Sequence, residues 1–235
     1  MSATVTALVE DIRSAFAANA NPGIASQQQA YMKSDLPYYG LKAPEVRKAL
    51  KPLLIRHTLE TAAEWELAIR KLWDSVTHRE EWYAAIAVAR YGRYREYRTG
   101  IDSLSLYEHM IRTGAWWDVC DEIAHHLVGA VLMAHPEEAT AVMRAWSTDD
   151  HLWIRRCSIL SQGTHKDKTD PALLRDCILP SIDDTDFFSR KAIGWALRDY
   201  ARENPDWVVA FVNEFDGRLS GLTIREALKH FPKEG

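Results

Sequence analysis

The sequence predicts an all-α protein built as a repeating helical array. Three observations carry this. No stretch keeps the apolar–polar alternation of a strand. Apolar residues instead recur at three- and four-residue spacing: Ala84, Ala85, Val88, Ala89; Ile123, Leu127, Val131; Val208, Val209, Val212. Prolines and arginines then return with a fixed period. Arg155, Arg190 and Arg225 are spaced 35 and 35, and Pro136, Pro171 and Pro205 are spaced 35 and 34.

The elements follow from these marks. The start, MSATVTALVEDIRSAF, places Glu10 and Asp11 where a secretory leader carries bases, so it reads as a helix and not a signal peptide. Roughly a dozen short helices are expected along the chain. His-Pro, Asp-Pro and Asn-Pro put proline at the first helical position, which needs no backbone donor; Asp170 and Asn204 are good caps before it. Each repeat thus holds one helix opening at Pro and a second carrying the Arg. This is an α-solenoid of HEAT-like repeats, with a period somewhat shorter than usual. One domain over 1–235 is expected.

Stacked second helices place equivalent positions in columns. One column reads Asp121, Arg156, Lys191, Glu226; its neighbour reads Cys120, Arg155, Arg190, Arg225. The repeat arithmetic alone sets an acid, Asp121, beside a ladder of bases. Arg155, Arg190 and Arg225 have two readings: contacts to a partner, or salt bridges between repeats.

Composition agrees with a globular chain. The 235 residues are 47% hydrophobic and 26% charged, with a net charge of −4. That balance excludes a globally basic nucleic-acid binder, but the charge is unevenly placed. Residues 101–150 hold two Lys/Arg and nine Asp/Glu, whereas 151–200 hold eight and seven. Most acids of the second block lie in linkers (Asp167, Asp170, Asp183, Asp184, Asp186). A concave basic groove is therefore expected, the electrostatic footprint for a phosphate backbone. Three scattered cysteines without CxxC argue against disulfides and zinc and for a reducing cytosol, and no segment is long and apolar enough to span a bilayer. Adjacent His125 and His126 point about 100° apart on a helix and make a poor metal pair.

Nine tryptophans are an excess. Trp116-Trp117-Asp118-Val119-Cys120-Asp121 is followed by Leu152-Trp153-Ile154-Arg155-Arg156 and by Lys191-Ala192-Ile193-Gly194-Trp195-Ala196-Leu197-Arg198-Asp199-Tyr200. With Ala30-Tyr31-Met32-Lys33, Tyr39-Gly40-Leu41-Lys42-Ala43-Pro44-Glu45-Val46-Arg47 and Arg225-Glu226-Ala227-Leu228-Lys229-His230, these resemble the AlkD family of HEAT-like-repeat DNA glycosylases. The resemblance runs from about residue 26, leaving the helix of 1–25 outside it. It implies excision of cationic N3- and N7-alkylpurines from double-stranded DNA, without base flipping. It places the catalytic aspartate on Asp121, lesion-binding tryptophans on Trp117 and Trp195, and DNA-binding residues on Tyr31, Arg156 and Arg198; the charged column adds Lys191. Cys157-Ser158 and Ser161-Gln162-Gly163 depart from the family's pattern, and neither is expected to touch the chemistry. No cofactor, metal or obligate protein partner is implied; a monomer in the bacterial cytoplasm is expected.

The chemistry also follows from the residues. An alkylated purine bearing positive charge is already a good leaving group. Cleaving its N-glycosidic bond develops positive charge on the sugar, which one fixed carboxylate can stabilise. Asp121 fits that task, and Arg156 beside it favours its ionised form. Asp118, one turn earlier, is the rival, read as a hydrogen-bond acceptor near the helix start. Trp117 and Trp195 offer electron-rich faces to a cation. Trp65, Trp73, Trp146 and Trp207 read as core, and Trp116 and Trp153 as packing. Two other functions are compatible with a solenoid: a non-catalytic binder of damaged or branched DNA, and a protein scaffold.

Overall fold

The computed structural model describes residues 2–231. Among them every regular element is a helix. The chain divides into two compact units, Met1–Arg98 and Thr99–Gly235.

The first unit contains α1 (Ala3–Ala18), α2 (Pro22–Met32), α3 (Ala43–Arg56), α4 (Ala62–Asp74) and α5 (Glu80–Arg90); the division falls within the short α6 (Arg95–Thr99). Helix α1 buries Val5, Leu8, Ile12 and Phe16, one face at helical spacing, against α3 and α4. Ala84, Ala85, Val88 and Ala89 of α5 are fully buried, as their spacing requires. Glu80 is also fully buried. Its carboxylate accepts from the backbone N–H groups of Tyr39, Gly40 and Leu41 at 3.0, 2.9 and 3.1 Å. It thereby satisfies the donors of the loop that leads into α3. Gly40 has φ +89°, and a Cβ there would lie 2.1 Å from the Asn21 carbonyl oxygen, so the loop requires glycine.

The second unit contains α7 (Ser103–Gly114), α8 (Trp117–Ile123), α9 (Gly129–Ala134), α10 (Pro136–Ser147), α11 (Leu152–Leu160), α12 (Pro171–Ile178), α13 (Phe187–Tyr200), α14 (Pro205–Glu214) and α15 (Gly221–Ala227). Pro136, Pro171 and Pro205 each open a helix, and the Asp170 and Asn204 side chains accept backbone N–H bonds as its caps. Helices α8, α11, α13 and α15 pack each on the next, while α10 packs on α12. This is the repeat stacking that the 35-residue period predicts.

Two local features differ from the periodic expectation. Val208 and Val212 are buried, but Val209 is 37% exposed, because it lies about 100° around α14 from its neighbour. Helix α8 does not run straight into α9; a π-helical turn over Ala124–Val128 joins them. Such turns shift the register of one helical face and recur at functional sites.

The tryptophans sort as expected in most positions. Trp65, Trp73, Trp146 and Trp153 are buried. Trp116 packs on Trp153 and Phe188, and Trp207 packs on Tyr200 and Phe211.

Candidate active site

Ala115 takes a left-handed conformation (φ 37°) after α7, and this sharp turn delivers Trp116 to the N-cap of α8. Trp117 is the first residue of that helix. Asp121 follows one turn later on the same face. Asp118 sits in the first turn, where the helix N-terminus favours negative charge.

The repeat stacking brings Arg156 of α11 onto Asp121. Nε donates to Oδ1 at 2.7 Å and Nη2 to Oδ2 at 2.9 Å. Nη1 donates to the Phe188 carbonyl oxygen at 2.6 Å. The Arg156 side chain is 4% exposed and that of Asp121 13%. The rings of Trp153 and Phe188 lie 6.0 and 5.9 Å from the guanidinium carbon. Both carboxylate oxygens accept, which is the bonding of an ionised Asp121. Burial nevertheless raises its pKa above the ordinary value; Arg156 opposes that rise and Asp118 adds to it.

The other half of the column pairs in the same way. Lys191 donates to Glu226 Oε1 at 2.8 Å, and Arg198 reaches Glu226 Oε2. Lys191 foremost, with Arg198, holds the Glu226 carboxyl below its ordinary pKa. Gly194 permits this, because a Cβ there would lie 2.6 Å from the Glu226 Cβ. In the neighbouring column, Arg155 bonds Asp184 and the Asp149 and Asp150 carbonyls, and Arg190 bonds the Asp184 carbonyl. Arg155 thus forms the salt bridge of one of its two readings, whereas the Arg190 bond is to a backbone carbonyl.

Trp195 lies on α13, half-buried, with the ring of His125 perpendicular to it at 4.9 Å and 87°. Tyr31, on α2 of the first unit, is 76% exposed.

Three structural features add to the sequence pattern. His125 looks like half of a poor metal pair, yet the π-helical turn aims it at Trp195. Gly163 is expected from sequence to lie away from the chemistry. It lies against the His125 ring: a Cβ on it would lie 2.8 Å from Nε2. Helix α3 exposes Arg47, Lys48 and Lys51, with Lys42 at its N-cap. The spacing of these bases along one helix is the signal that could have found them.

Among the described residues no group of three His, Cys, Asp or Glu could hold a metal ion, and no helix is long and apolar enough to cross a membrane. The three cysteines are buried, and burial pushes the Cys177 thiol up to about 12.

Fold and site together define an all-helical repeat protein that presents a guanidinium-held carboxylate on the same helix face as a tryptophan. The chain belongs to the DNA alkylation repair enzyme family, whose model matches residues 12–231. It is also similar to a solved structure described as a predicted DNA alkylation repair enzyme from Enterococcus faecalis. The two are 30% identical, with a TM-score of 0.79 over 92% of this chain and 98% of that one. No curated protein matches the chain.

Proposed function

We propose that the protein is a monofunctional DNA glycosylase that hydrolyses the N-glycosidic bond of cationic N3- and N7-alkylpurines in double-stranded DNA, without flipping the base. The observation that carries this reading is the Asp121 carboxylate, held by two hydrogen bonds from buried Arg156 on the helix face it shares with Trp117.

The electron pair of the C1′–N bond leaves with the purine and cancels its positive charge. The deoxyribose becomes cationic, and the fixed Asp121 carboxylate stabilises it. A water oxygen then bonds C1′, and its proton passes to Asp121 or to solvent. No acid is needed at the leaving base. The aspartate's motif, Trp116 to Asp121, contains no lysine to attack C1′, consistent with hydrolysis alone. Trp117 and Trp195 attract the charged nucleotide by about 0.5–2 kcal/mol per contact. Lys191, Arg198 and Tyr31 contact the duplex. Arg156 serves chiefly by fixing Asp121, since its guanidinium is already bonded on three nitrogens.

The test is mass spectrometry of bases released from alkylated duplex DNA by the wild type and by Asp121→Asn. Free 3-alkyladenine or 7-alkylguanine is expected with the wild type and not with the variant. Equal release by both removes Asp121 from the chemistry. Binding without release by the wild type establishes the non-catalytic binder instead.

A further inference from the structure

We propose that His125 is a positioning residue for Trp195: its ring, packed perpendicular to the indole, sets the orientation of the indole that receives the cationic base. This rests on the reading of Trp195 given above.

The geometry is specific. The two rings meet at 87° with centroids 4.9 Å apart, the edge-to-face arrangement that aromatic quadrupoles prefer. His125 reaches Trp195 because the π-helical turn Ala124–Val128 displaces it from the straight course of α8. The ring itself is confined. Its Nε2 is buried with no hydrogen-bond partner among the described residues. Gly163 leaves it room on the far side, where any Cβ would sit 2.8 Å from Nε2 and 2.9 Å from Cδ2. The Thr164 hydroxyl donates to the His125 backbone carbonyl at 3.1 Å, which ties the turn to the next repeat.

An unpaired buried imidazole nitrogen costs stability. A leucyl group could occupy this position without that cost, so filling space alone does not account for a ring here. What a planar ring supplies here is a perpendicular aromatic contact with the indole. The Trp195 indole N–H also interacts with the Asp199 carboxyl. The indole is therefore held by two contacts, the Asp199 carboxyl at its N–H and the imidazole ring packed perpendicular to it. A tryptophan that loses one of these contacts presents its face to a bound cation for only part of the time, and excision slows without loss of duplex affinity.

The experiment compares wild type, His125→Ala and His125→Phe, each labelled with 5-fluorotryptophan, with the Trp195 resonance assigned through Trp195→Phe. In His125→Ala the Trp195 fluorine signal is expected to shift and broaden. Single-turnover release of 7-methylguanine from methylated duplex should fall about tenfold while duplex Kd stays within about twofold. His125→Phe restores an aromatic ring and should recover both the signal and the rate. An unchanged Trp195 signal in His125→Ala overturns the proposal. So does a His125→Phe variant as impaired as His125→Ala. If the wild type releases no base, the glycosylase reading fails, and the fluorine signal still decides whether His125 orients Trp195.

Discussion

Arg156 donates to both carboxylate oxygens of Asp121 from the next repeat, thirty-five positions along the chain. The pair is nearly dry, so its members depend on each other. Removing one partner leaves the other charged and buried, which typically costs about 3–5 kcal/mol. Arg156→Ala is therefore expected to lower unfolding free energy by about that amount, read from urea denaturation. Asp121→Asn keeps one acceptor for the guanidinium and should cost less. Its base release should nonetheless fall on the order of 10²–10³-fold, the scale of losing one preorganised electrostatic group.

Acid should silence excision earlier than an ordinary carboxylate would allow. Burial raises the Asp121 pKa above 3.8, so protonation begins at higher pH and removes the charge that stabilises the sugar cation. The single-turnover rate should rise with pH through this limb. An acid limb at or below the ordinary aspartate range contradicts the assignment.

His125 gives a separate pH signature in stability. Burial foremost, with His126 and Arg156, lowers its pKa to about 4, while Glu122 opposes. Between about 4 and 6.5 the unfolded chain binds a proton there and the folded chain does not. Stability contributed by the neutral ring is thus present above pH 6.5 and lost as pH falls, by up to about 3 kcal/mol. The raised Asp121 pKa acts in the opposite sense, so the comparison must be with His125→Phe. That variant should lose the His125 part of the slope in chemical denaturation series from about pH 7 to about pH 4.

Gly194 is expected to tolerate no side chain. A Cβ would lie 2.6 Å from the Glu226 Cβ and 2.9 Å from the Thr223 carbonyl oxygen, at the α13–α15 interface. Gly194→Ala should destabilise the protein by about 1–3 kcal/mol, as overpacking does. It should also move Glu226 away from Lys191 and Arg198. Thermal melting and duplex affinity measured together would show both effects.

Lys191→Ala should weaken binding to alkylated and plain duplex alike. Removing one cation from the phosphate backbone reduces the slope of log affinity against log salt by about 0.9. A titration from low to moderate salt checks this; an unchanged slope removes Lys191 from the DNA surface.

Much of this molecule is legible in its residues. The proline and arginine spacing requires paired helices in repeats, and Asp170 and Asn204 cap them as their residue types predict. The column Asp121, Arg156, Lys191, Glu226 follows from the 35-residue period, because stacked helices align equivalent positions. Tertiary structure decides how that column is joined. Its two bases do not form an open ladder; each turns to the acid at its own end, Arg156 to Asp121 and Lys191 to Glu226, because partly buried charges settle on the nearest opposite charge. Tertiary structure also decides the place of His125. A π-helical turn breaks the 3.6-residue count on which a face is read from sequence, and Gly163, close to forty residues further on, supplies the space that the ring fills. Periodicity fixes which residues share a face only while the helix keeps its pitch; where the pitch changes, the packing of the next repeat decides.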